Sequence, residues 1–110
     1  MLKNIAALCV VLLAVACKKE NAVHEVTYTV TCPTCMIEMT NGDGNTEARN
    51  VAGSTIIDLE RRSGDFVRVM ARNDADSGFV DCKIYSDGDL FAHGQGTGFG
   101  IQVTASGYLP

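Results

Sequence analysis

The chain has 110 residues, 46% of them hydrophobic and 20% charged, a composition that suits one small globular domain. Its formal net charge is −4, and an acidic chain of this kind is a poor partner for nucleic acid or anionic lipid. Tryptophan is absent and proline occurs twice, while 11 glycines separate short apolar runs, which points to turns joining strands.

The first element is not part of the fold. Lys3 precedes an apolar run over residues 5–16 that closes on small residues, and Cys17, Lys18, Lys19 and Glu20 follow directly. Charge, short apolar segment and small-residue boundary together make a secretory signal peptide. The run is shorter than the roughly 20 apolar residues a spanning helix needs, and it lacks the polar face of a cytosolic core helix. Leu12-Leu13-Ala14-Val15-Ala16-Cys17 resembles the lipobox of bacterial lipoproteins, with Ala14 standing where a larger aliphatic residue is usual. The resemblance implies cleavage before Cys17 and its acylation, palmitate included. It also implies an extracytoplasmic, membrane-anchored place in a bacterial cell envelope. The expected organisation is a signal over residues 1–16, a lipidated cysteine and tether over 17–24, and a folded domain over 25–110.

From residue 26 the period is two. Val26, Tyr28, Val30 and Cys32 share one face against Thr27, Thr29 and Thr31, which predicts a half-buried strand ended by Pro33. Alternation resumes with Cys35, Ile37 and Met39, and Asn41-Gly42-Asp43-Gly44-Asn45 predicts a hairpin turn. A polar edge strand follows over residues 46–51, and Gly53 separates it from a strand with Thr55, Ile57 and Leu59 on one side. Beyond Arg61-Arg62-Ser63-Gly64-Asp65, Val67, Val69 and Ala71 alternate with Arg68 and Arg72. After a turn over residues 73–78, Val80, Cys82 and Ile84 alternate with Asp81 and Lys83. Ser86-Asp87-Gly88-Asp89 is a tight turn into Leu90-Phe91-Ala92, and residues 94–100 read as a loose glycine-rich loop. Ile101, Val103 and Ala105 form the last strand. About seven short strands with regular turns predict an all-β, immunoglobulin-like antiparallel sandwich. Val26, Val30, Ile37, Val67, Val69, Val80, Ile84 and Val103 are its expected interior.

The Val26-Thr27-Tyr28-Thr29-Val30 opening, the strand over residues 66–71 and the hairpin over residues 79–88 resemble MmpS-type transport accessory proteins. They resemble small envelope lipoproteins with the same sandwich as well. The likeness implies the sandwich fold and a role assisting export through a large membrane transporter. It brings no catalytic residue with it. This chain has a lipid-anchor signal where that family has a membrane helix.

Of five cysteines, Cys9 leaves with the signal and Cys17 is expected to be acylated, so Cys32, Cys35 and Cys82 remain. Cys32-Pro33-Thr34-Cys35 reads as a structural disulfide across a proline bend in an exported protein. A redox pair is the second reading, and a soft-metal site with Met36 and Met39 the third. Cys82, between Val80 and Ile84, reads as a buried thiol. The Asp74/Asp76 and Asp87/Asp89 turns offer oxygens but lack the later bidentate Glu of a calcium loop. His24, His93 and Arg61-Arg62 read as solvated. No catalytic residue, metal site or cofactor is expected. The leading expectation is a lipid-anchored, non-enzymatic envelope protein whose domain binds another envelope protein or a small apolar ligand. A thiol-redox or metal-handling lipoprotein and an MmpS-type accessory protein are the alternatives.

Overall fold

The computed structural model describes residues 22–110, so the predicted signal and Cys17 lie outside the described residues. Six strands form: β1 (Val23–Thr40), β2 (Thr46–Arg62), β3 (Phe66–Asn73), β4 (Phe79–Ser86), β5 (Asp89–Thr97) and β6 (Gln102–Tyr108). The fold is all-β and antiparallel, as expected. The count is six rather than about seven, and the ladders join all six strands into one curled, nearly barrel-shaped sheet.

Two expected strand ends are crossed, which accounts for the lower count. Pro33 has no N–H to donate, but β1 passes through it because it falls in a β-bulge. Cys32 pairs with Gly53 and Cys35 with Val51, leaving Pro33 and Thr34 opposite Ala52. β2 crosses the same line at Gly53, whose φ of 76° suits a residue without a Cβ.

The bulge also decides which way β1 faces. Even-numbered residues from Val26 to Cys32 are buried, then odd-numbered ones from Cys35 to Met39, because one extra residue reverses the parity. One edge of β1 pairs with β2 along its length. The other edge pairs with β4 over residues 26–31 and with β3 over residues 35–39, so the bulge divides two half-sheets. Tyr28 in the first half donates its hydroxyl to Thr40 O in the second, at 2.7 Å. Twelve residues of straight strand would hold these two about 40 Å apart. The two halves of β1 therefore face each other across the core.

All eight expected interior residues are buried, with Tyr28, Cys82 and Ala71 among them. β5 extends the first half beyond β4, and β6 extends the second beyond β3. These two strands meet at a seam. A Cβ on Gly94 would lie 2.5 Å from Thr104 O, and one on Gly96 would lie 2.5 Å from Ile101 Cδ1. Residues 94–97 are thus the end of β5 rather than a loose loop, and their glycines are what let the seam close.

Candidate functional site

The two ends of the curled sheet differ in chemistry. At the end where the described chain begins, β1 already runs through His24, so that residue belongs to the domain and not to a free tether. Its side chain is 14% exposed, against the expectation of solvation. Nδ1 lies 2.7 Å from Asp87 Oδ2, and Nε2 lies 2.9 Å from Ser63 Oγ and 3.1 Å from Pro110 O. Asp87 and Gly88 take φ of 52° and 86° in the two-residue turn between β4 and β5, a turn that Asp-Gly favours. That turn aims Asp87 back at β1, where its Oδ1 accepts the Glu25 N–H at 2.9 Å. The hydrogen bond from His24, then the one from Glu25 N–H, hold the Asp87 carboxyl below the usual carboxylate range.

Ser63, His24 and Asp87 thus stand at the separations of a catalytic triad, an arrangement invisible in sequence because its members are 39 and 63 residues apart. The local chemistry favours a clasp. Nε2 faces Pro110 O, which only accepts, as well as Ser63 Oγ, whereas a triad commits Nε2 to the serine whose proton it takes. The Ser63 and Gly64 amides that could serve an oxyanion are already bonded to Ala22 O and Leu109 O, each at 2.9 Å. The cluster ties the start of β1, two turns and residues 109–110 together.

At the opposite end lies the bulge. Cys32 and Cys35 both face inward, with Cα atoms 6.2 Å apart and their sulfurs at disulfide distance. Their odd spacing is compatible with a common face only because of the extra residue. Gly78 (φ 122°) packs against Pro33 so closely that a Cβ there would collide with the proline ring. Asn73, fully buried, fastens the neighbouring loops: its Nδ2 donates to Gly98 O (2.9 Å) and Ser77 O (3.3 Å), and its Oδ1 accepts from Ala75 N (3.0 Å). In sequence nothing distinguishes this asparagine from an ordinary turn residue. Cys82 is a buried free thiol, pushed up to about 11 first by burial and then by the Asp81 charge. Met36 faces away from Met39, as strict alternation requires.

Of the other side chains expected to be solvated, His93 and Arg62 are exposed as expected and Arg61 is not. His93 Nε2 lies 2.5 Å from Asp81 Oδ1, and Asp81 also draws Lys83 to 3.8 Å. Arg61 is 17% exposed, donates to Gly42 O at 3.2 Å and pairs with Asp65 at 3.3 Å. It bridges the end of β2 to the β1–β2 turn, a contact the curl of the sheet creates. Asp74 pairs with Arg72 at 3.2 Å. Among the described residues, no three His, Cys, Asp or Glu side chains are grouped to hold a metal ion.

An open surface follows β2. Among the described residues β2 pairs with no strand but β1; at its end Asp65 engages both the Arg62 N–H (2.9 Å) and the Arg62 C=O (3.0 Å), and the edge before that carries no ladder partner. Two grooves run beside its last third. One, of about 570 Å³, lies between β2 and the β1–β2 turn and includes Val23, Gly42, Asp43 and Arg61. The other, of about 380 Å³, includes Glu25, Val26 and Thr27, and both share Asp58, Leu59 and Glu60. On the outward face Glu25 stands directly opposite Glu60, and Thr27 donates to Asp58 at 2.7 Å. The chain matches no protein-family model, and no curated protein matches it.

Proposed function

We propose that this chain is a lipid-anchored bacterial envelope protein whose β domain is a non-enzymatic binding or accessory module. The observation that carries the reading is the order of its sequence: charge, apolar run and small residues ending at Cys17, followed within six residues by the first strand. A domain starting so near an acylated cysteine would be held against its membrane by the acyl chains alone, at about 0.8 kcal/mol per buried CH₂. The reading takes the facing half-sheets as an immunoglobulin-like sandwich in which β1 and β2 each contribute to both layers. It also takes Cys32 and Cys35 as a structural bridge. Burial of both sulfurs supports that over a redox pair, whose attacking thiolate needs access. An export-accessory role of MmpS type is one form the module could take.

The test is metabolic labelling with a fatty-acid analogue in a bacterial host. Wild type should be labelled and Cys17→Ala should not. Equal labelling of both proteins, or a mature chain that begins elsewhere than Cys17, would sink the reading.

A further inference from the structure

We propose that the free edge of β2, along residues 54–60, docks an extended segment of a partner protein in which basic residues alternate with apolar ones. This deepens the binding-module part of the reading above and rests on it, but it does not depend on the lipid anchor.

The backbone supplies the first reason. A strand edge presents unpaired N–H and C=O groups, and native proteins blunt such edges with short strands, proline, bulges or charged side chains, lysine above all. Here the charges are Asp58 and Glu60 on the outward face and Arg61 and Arg62 at the end, where Arg61 is held on Gly42 O. β2 has 17 residues where strands commonly have about six, and it holds neither proline nor lysine. From Gly53 to Arg62 its register against β1 is unbroken. Ile56, 70% exposed on the outward face, lies in the middle of this stretch. Such an edge is a template for strand addition.

Side chains supply the second reason and choose the occupant. A docked strand sends successive side chains to opposite faces, and the two grooves that share Asp58, Leu59 and Glu60 are placed to take them. On the outward side, Glu25 and Glu60 are a cross-strand pair of like charges, each without an ion-pair partner among the described residues. Like charges directly opposite one another destabilise a sheet, and a lysine or arginine from an added strand would relieve them. Toward the core, half-buried Leu59 offers an apolar surface to the alternate residue. A second copy centred on the stretch between the grooves fits badly: antiparallel self-pairing about Leu59 would set Asp58 against Glu60 of the other copy, and pairing about Asp58 would oppose two aspartates. Self-pairing about Ile56 opposes no like charges but leaves Glu25 and Glu60 without a cation, and the oligomeric state tests it.

The experiment uses the full chain in detergent and a fluorescent peptide, Lys-Val-Lys-Val-Lys-Val-Lys, read by anisotropy at physiological salt. The proposal expects saturable binding, about fivefold weaker for Glu60→Lys. It also expects binding to be lost when alternate peptide nitrogens are methylated, which removes ladder donors and keeps the charge. Circular dichroism confirms that Glu60→Lys remains folded, and Arg49→Ala, on β2 outside the grooves, should bind like wild type. Failure of the peptide to bind, equal binding of the methylated peptide, or unchanged affinity in Glu60→Lys each overturns the proposal. So does sedimentation of the chain alone as a dimer that Ile56→Lys dissociates, since the edge would then belong to a second copy. Fatty-acid labelling at Cys17 reads the anchor separately, so either claim can fail while the other stands.

Discussion

Replacing Tyr28 by Phe isolates the contact through which β1 touches itself. The ring is fully buried among the core residues, and its hydroxyl reaches Thr40 O at 2.7 Å across the two half-sheets. Phenylalanine keeps the packing and removes one hydrogen bond. Thr40 is half-buried, so its carbonyl can regain water, and the loss should be near a net hydrogen bond, about 1 kcal/mol. For a domain of this size that lowers the melting temperature by about 4–8 °C. A pH signature accompanies it. Burial pushes the Tyr28 hydroxyl up to about 12, above the ordinary value of 10.0, so the folded state favours the neutral phenol. The resulting stabilisation is fully present below pH 10 and is lost as pH rises through about 12. Thermal unfolding followed by far-ultraviolet circular dichroism, for wild type and Tyr28→Phe across the alkaline range, reads both effects. Wild type should fall toward the variant as pH rises. Equal melting temperatures near neutral pH would refute the facing of the two halves of β1.

Two further predictions concern the ends of the sheet. Asp87→Asn preserves the left-handed turn residue while removing its charge. The gap in melting temperature from wild type should be open above the ordinary carboxylate pKa of about 3.9 and close as pH falls through the lower folded value, and a gap independent of pH would refute the clasp. Replacing Cys32 and Cys35 together by serine should cost about 2 kcal/mol or less, because the closed loop is so short. Native thiol titration should find neither of them reactive, with Cys82 appearing only on denaturation; two reactive native thiols would refute the bridge.

Alternation by itself determined the interior of this protein. A period of two places every second side chain on one face, and apolar residues on that face are buried whichever strands finally pair, so Val67, Val69, Val80 and Ile84 were legible residue by residue. The turns at residues 41–45 and 86–89 were legible for a similar reason, since Asn, Asp and Gly relieve a local backbone constraint. Only the tertiary structure decided what happens where a local breaker meets a long-range ladder. Pro33 and Gly53 look like strand ends in sequence, yet each is accommodated opposite the other strand of the long hairpin, where a bulge and a left-handed glycine let the sheet turn on itself. That turn puts Cys32 and Cys35 on one face, brings Tyr28 to Thr40, carries Ser63 and Asp87 to His24, and leaves the edge of β2 uncovered. Side-chain direction is a property of each residue and its neighbours. The choice of ladder partner is a competition among distant segments, and no local pattern records who wins it.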